Sequence, residues 1–246
     1  MNVGRLRRAI ARHRPEVLFL DCFDTVLLRG SESEDERVRR LGVRIAADLS
    51  RQGFAVSPTA AAATRSAAAR AEYLAAAREA REARHADILR LQCVALGLPA
   101  ACADAMLDAE LAQETRDLRP NLPLLSLLRE IRIRGIRIVV VSDMYLPASA
   151  IRQLLRNAGA AEEIDEVYSS SDHGPTKRGG GLFQVVLAAE GMDPDRCLHA
   201  GDCRHGDFEM PLRRGIAAVQ LPRPHLALVR AVRRTARRFF GEPLHV

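Results

Sequence analysis

Short apolar runs that end in polar or acidic residues recur along this chain. Residues 16–23 (EVLFLDCF) are apolar at nearly every position and finish on acids. Residues 136–143 (IRIVVVSD) and 197–202 (CLHAGD) repeat the pattern, 216–221 (IAAVQL) is a fourth case, and 166–171 (EVYSSS) is a weaker fifth. A continuous run without alternation predicts a strand covered on both faces. Between the runs, 122–135, 146–159 and 182–191 carry apolar residues at helical spacing, the first two with Gly135 and Gly159 as stop signals. Strands alternating with helices predict an α/β fold: a Rossmann-like parallel sheet with helices on both faces. Ligands of such sheets sit at the carboxyl ends of the strands, which here carry Asp21, Ser142 and Asp202.

The segment from about 30 to 117 breaks this rhythm. It is rich in Ala, Arg and Glu and holds no convincing strand. Ser33 followed by acids predicts a helix start, with Gly53 as its stop. Pro58 opens a long Ala-rich helix to about Arg84, and further helices are expected over 86–96 and about 99–115. Four helices placed after the first strand predict a small helical domain inserted into the α/β domain. The expected organisation is therefore a core of 1–29 and 118–222, a helical insert of 30–117, and a basic C-terminal helix or tail of 223–246.

Composition narrows the class. The chain has 246 residues, 48% of them hydrophobic and 28% charged, which is enough for a real core and excludes intrinsic disorder. No stretch approaches the length of a spanning helix, and the start lacks the apolar centre of a secretory signal. Five cysteines without a CxxC pair argue against a disulfide framework, so a reducing cytoplasm is the expected location. The net charge of +6 is terminal: residues 1–15 hold five Arg and residues 223–238 hold six, with no acid in either arm. The body is mildly acidic, which does not suggest a nucleic-acid groove. The arms are instead candidates for docking a protein partner. Among 37 basic residues, one is Lys, at position 177. Lys is a compact point charge on a thin stem and is not replaceable by the wide guanidinium fork.

The candidate chemistry lies at the strand ends. Asp21 and Asp24 sit in DCFDT directly after the first strand, and two carboxylates so close repel unless a cation or a shared proton relieves them. Mg²⁺ suits a site of few carboxylate oxygens. Asp202 and Asp207 (GDCRHGD) add acids, Ser142 a hydroxyl and Lys177 a positive charge. That set fits phosphoryl transfer, in which cations neutralise the phosphoryl oxygens, one carboxylate attacks and another moves protons. Each residue also has a plainer reading: Ser142 and Asp207 as helix caps, Asp21 and Asp24 as an Asx turn, Cys22 and Cys203 as small fillers rather than redox-sensitive thiols. GPTKRGGG lacks the spacing of a P-loop, and RHG at 204–206 lies too late for a histidine phosphatase.

Taken in order, these motifs resemble the haloacid dehalogenase (HAD) superfamily of aspartyl-phosphate phosphatases. Apolar-DCFDT resembles its first motif, VVVSD its second, Lys177 with RGGGLF its third and GDCRHGD its fourth. The resemblance covers 16–29 and 120–222, and the 30–117 insert falls where that superfamily places a C1-type helical cap. It implies Asp21 as nucleophile and Asp24 as general acid and base. It further implies a Mg²⁺ held by Asp21, the backbone carbonyl of Phe23 and Asp202, with Asp207 supporting the metal shell or Lys177. Ser142, Lys177 and Thr25 would bind the phosphoryl group. Dehalogenases of the superfamily lack the second acid, so Asp24 points to a small phosphate ester, a sugar phosphate or biosynthetic intermediate. FDTVLLR, SDMYLP and TKxxGxLF are similar to bacterial members found with polysaccharide and glycosyltransferase genes. A phosphomutase, or a non-catalytic partner-binding module of the same fold, are the alternatives. Tyr145 and Arg29 lie near the site by motif position.

Overall fold

The computed structural model describes residues 3–223. In chain order the elements are α1 (Val3–His13), β1 (Val17–Leu20), β2 (Leu27–Leu28), α2 (Glu34–Arg51), α3 (Pro58–Arg78), α4 (His85–Leu96), α5 (Cys102–Asp117), β3 (Arg119–Pro120) and α6 (Leu122–Ile133). There follow β4 (Arg137–Ser142), α7 (Ala148–Asn157), β5 (Glu166–Ser169), α8 (Ser170–His173), α9 (Gly181–Glu190), β6 (Cys197–Gly201), α10 (Met210–Arg213) and β7 (Ala217–Gln220). A π-helical turn, Arg204–Glu209, leads into α10. The expected basic helix or tail of 223–246 lies, apart from Arg223, outside the described residues.

All five long strands are parallel, in the order β5-β4-β1-β6-β7. Central β1 pairs on both edges, Val17 with Arg137 of β4 and with Cys197 of β6. The sheet order therefore reverses beside β1, and the crevice outside the strand ends opens there. The apolar runs follow from burial on both faces. Leu18, Leu20, Ile138 and Val140 pack against one layer with Leu124 and Leu128 of α6 and Ile151 of α7. Val17, Phe19, Val139 and Val141 point the other way, onto Leu182, Phe183 and Val186 of α9. The N-terminal basic arm is helical. Leu6 and Ile10, one turn apart, are buried in the first layer, and Arg7 pairs with Glu130 of α6 at 2.7 Å.

The four helices of the insert enclose their own apolar cluster, which includes Leu41, Ile45, Leu49, Leu89, Cys93 and Met106. Ser33 and Glu36 form a reciprocal capping box that starts α2. Helix α3 starts at Pro58 as expected but ends at Arg78, not near Arg84. Its helix-forming residues continue, yet Ala80 turns into the left-handed region and the next stretch bonds to the α/β domain instead. Glu82 N donates to Gly174 O (2.8 Å), Ser170 Oγ to Glu82 (3.0 Å) and His85 N to Tyr145 O (2.9 Å). A short antiparallel ribbon, β2 with β3, joins the two strands of chain that link insert and sheet.

Helices α2 and α3 approach closely at Gly42, where an added Cβ would lie 2.5 Å from Pro58 O and 2.7 Å from Ala62 Cβ. Gly42→Ala is expected to lower unfolding stability by about 1–3 kcal/mol. Gly30→Ala, with nothing within 4 Å of its Cβ, should stay within about 0.5 kcal/mol of wild type. Urea denaturation distinguishes the two, and equal midpoints would contradict the close packing.

Candidate active site

Asp21 is the last residue of the β1 run still tied into the sheet, its N–H donating to Ala200 O of β6 at 3.0 Å. The chain then turns sharply. Cys22 O accepts from the N–H groups of Val26 (2.8 Å) and Leu27 (2.9 Å), while Asp24 N donates to Leu27 O (2.7 Å). Asp24 itself adopts φ +61, a conformation uncommon for a side chain other than Gly but open to Asp. Buried Asn121, at the start of α6, fastens this turn: its Nδ2 donates to Thr25 O (2.8 Å) and its N–H to Val26 O (2.9 Å). The sequence pattern gave no sign of this anchor.

Lys177 arrives from the loop between α8 and α9. Its backbone N–H and that of Arg178 both donate to the carboxylate of Asp143, the residue after β4. That fixes the loop beside the sheet and sends the Lys177 side chain into the crevice, where it is 3% exposed. Lys177 Nζ donates to Asp21 Oδ1 at 2.6 Å and to Asp207 Oδ1 at 2.7 Å. Asp207, in the π-helical turn, also lies 3.0 Å from His199 Nε2, and its Oδ2 accepts from Cys203 N at 2.9 Å. Gly201 makes room for it, since a Cβ there would fall 2.4 Å from the Asp207 carboxylate carbon. Ser142 is buried at the end of β4, and Thr25 Oγ1 is buried with no hydrogen-bond partner among the described residues. Thus Asp21, Asp202, Asp207 and Lys177 converge, with Ser142 at the neighbouring strand end.

Burial is the largest influence on Asp21, with the charges of Asp207 and Asp202 added to it. Lys177 opposes them, and the carboxyl is pushed up to about 7. Burial also disfavours the charged Lys177, but Asp207, Asp21 and Asp143 more than offset it and the ammonium is held well above its usual range. For Asp207, Lys177 and His199 outweigh burial, so its carboxyl is held down. Burial pushes His199 below its usual range, and its Nδ1 makes no hydrogen bond among the described residues.

Oxygens of Asp21, Asp202 and Asp207 all lie within 4.8 Å of one another. Three carboxylates against one ammonium leave the crevice negative, and hard oxygen donors in that arrangement suit a divalent cation. Asp207 is the least available donor, because both its oxygens already accept hydrogen bonds.

The two residues placed nearby by motif position face the insert. Tyr145 OH donates to Glu110 Oε1 of α5 at 2.6 Å, and the same carboxylate binds Arg65 of α3 (2.7 and 3.0 Å) and His85 of α4 (3.0 Å). Arg29 stacks 4.3 Å over the Phe23 ring and donates to Glu114 of α5 at 3.0 Å. Asp24 Oδ1 accepts from Arg29 N (3.3 Å) and pairs with the guanidinium of Arg223, just past the last strand. Local motifs cannot locate Arg65, His85, Glu110, Glu114 or Arg223, because each lies far along the chain from what it touches.

The raised Asp21 carboxyl has a sign that can be measured. In metal-free folded protein it keeps its proton to about pH 7, whereas the unfolded chain releases it near pH 4. Between those values the folded state binds more protons, so this group's contribution to stability falls as pH rises. Thermal melts in chelator from pH 4.5 to 8 should show a flatter profile for Asp21→Asn than for wild type. Parallel profiles would contradict the assignment.

A search of the curated proteins gave no significant match. Among solved structures, the chain is similar to 2-haloacid dehalogenase from Pseudomonas syringae pv. Tomato DC3000 (TM-score 0.60, 16% identity, 83% of this chain and 85% of that one). It is also similar to a HAD phosphatase from Thermococcus onnurineus (TM-score 0.53, 17% identity, 84% and 86% coverage). At such identities these likenesses concern the fold. The family model for haloacid dehalogenase-like hydrolases matches residues 15–213, which span the sheet, the helical insert and every acid of the crevice, and the chain belongs to that family of hydrolases.

Proposed function

We propose that this protein is a Mg²⁺-dependent phosphomonoester hydrolase that works through an aspartyl-phosphate on Asp21. The observation that carries the reading is the buried Lys177 ammonium bonded to Asp21 and Asp207, with Asp24 three residues along the same turn. In this mechanism an Asp21 oxygen forms a bond to phosphorus while the ester oxygen leaves and takes a proton from Asp24. Asp24 then accepts a proton from water as that water attacks the phosphoryl group, which frees phosphate and restores Asp21. Lys177, Ser142 and Thr25 would hold the phosphoryl oxygens, and the unpartnered Thr25 hydroxyl fits that use. Asp207 positions Lys177 rather than reacting.

Asp21, the carbonyl of Phe23 and Asp202 are the residues that would hold Mg²⁺, which supplies positive charge against the phosphoryl oxygens and favours the ionised Asp21. A carboxyl raised to about 7 is a poor nucleophile without such help. Asp24 favours a phosphate ester over an organohalide, since dehalogenating members lack this acid. Residues 30–117 serve in this reading as a C1-type cap that excludes water during transfer. The substrate is a small phosphorylated metabolite, such as a sugar phosphate. No helix among the described residues is long and apolar enough to cross a membrane.

Hydrolysis of 4-nitrophenyl phosphate with Mg²⁺ tests the reading. Asp21→Asn is expected to lower kcat/KM by roughly 10³-fold or more, and Asp24→Asn by about 10²- to 10⁴-fold. Chelation should abolish turnover, and Mg²⁺ should restore it. Halide release from 2-chloropropionate without phosphate release would overturn the assignment in favour of dehalogenation. A fully active Asp21→Asn would overturn the nucleophile.

A further inference from the structure

A cavity of about 1030 Å³ opens at Asp24, where the insert meets the α/β domain. Its wall holds six arginines, Arg29, Arg37, Arg40, Arg116, Arg119 and Arg223, against four carboxylates. Three of those carboxylates are already matched: Asp24 by Arg223, and Glu32 and Asp117 by Arg40. Arg29 and Arg37 both turn to one further carboxylate, Glu114, at 3.0 and 3.7 Å. With Glu114 included, five carboxylates face six guanidinium groups, so the wall keeps a net positive charge. Among the described residues Arg29 Nε and Arg37 Nε make no hydrogen bond, and Arg37 Nη1 has only the longer ion-pair contact with Glu114. A buried cationic donor left unpaired is costly and is relieved by an anion. Arg119, at an exposed position, donates to the carbonyls of Arg116 and Leu118 and forms no ion pair among the described residues.

The lining also says what kind of anion. Among the described residues it has one apolar side chain, Leu28, and no aromatic ring. A nucleobase or lipid tail would find neither a stacking surface nor an apolar wall. Planar guanidinium groups match carboxylate and phosphoryl oxygens in pairs.

We infer that this cavity binds a second anionic group of the substrate, a carboxylate or another phosphoryl, held chiefly by Arg37 with Arg29 and Arg119. The inference deepens the phosphatase reading and rests on it for the identity of the first anion. The substrate is then a phosphorylated acid or a bisphosphate, not a neutral sugar phosphate. Arg223 pairs with Asp24 and lines the same cavity.

Calorimetry on the full-length Asp21→Asn protein with Mg²⁺ tests this without turnover. Two matched pairs serve as probes: 3-phosphoglycerate against glycerol 3-phosphate, and glucose 1,6-bisphosphate against glucose 6-phosphate. The doubly anionic member of at least one pair is expected to bind about tenfold more tightly, and the pair that responds identifies the second anion. Adding Arg37→Gln should erase the preference, and Arg37→Lys should keep part of it. Arg119→Gln, at an exposed position, should weaken it and covers the case in which Arg37→Gln misfolds. Equal binding within both pairs, or a preference that survives both Gln variants, would overturn the inference. The aryl phosphate assay reports separately on the phosphatase reading, so a protein that cleaves that ester yet shows no preference fails only here.

Discussion

The arrangement turns on one buried ammonium group. Lys177 is clamped between Asp21 and Asp207, and neither carboxylate would be tolerable in the crevice without it. The clamp dictates what surrounds it. Asp207 needs the void left by Gly201, the amide of Cys203 and the ring of His199, and the Lys177 loop needs Asp143 to hold its backbone. Asp21 is tied to the edge of β6, so Asp21, Lys177 and Asp207 form one hydrogen-bonded group anchored to the sheet.

The second organising feature is the seam between sheet and insert. On one side Glu110 gathers Arg65, His85 and Tyr145 into a buried cluster, and the stretch after α3 bonds to the loops that follow β4 and β5. On the other side the β2–β3 ribbon and the arginine-lined cavity meet at Asp24. The insert is therefore latched along one edge and open along the other, and the opening leads to the proposed acid. The charge balance differs across the seam in the same sense. Glu110 has Arg65, His85 and Tyr145 as hydrogen-bond partners, whereas Glu114 is shared by the guanidinium groups of Arg29 and Arg37.

Much of this was readable from residue order. The continuous apolar runs identified β1, β4 and β6 because burial on both faces leaves no alternation to confuse with a surface strand. The capping signal at Ser33 and the proline at 58 marked two helix starts, since both act within a single turn. The solitary Lys177 stood out against thirty-six arginines, and it occupies the centre of the crevice. One boundary differs: α3 ends at Arg78 rather than near Arg84, because its residues favour helix whether or not the chain turns.

By itself the sequence determined the strands, the helical insert and which acids end at one rim, because periodicity, caps and strand ends are local properties. Only the tertiary structure decided that Asp207 binds Lys177 and His199, that Asn121 fastens the Asp24 turn, and that Arg29 and Arg37 share Glu114. Those pairings join residues far apart in the chain, where no spacing rule reaches. Their strength depends on burial and on the count of charges in one small volume, and that exists only once the insert has folded against the sheet.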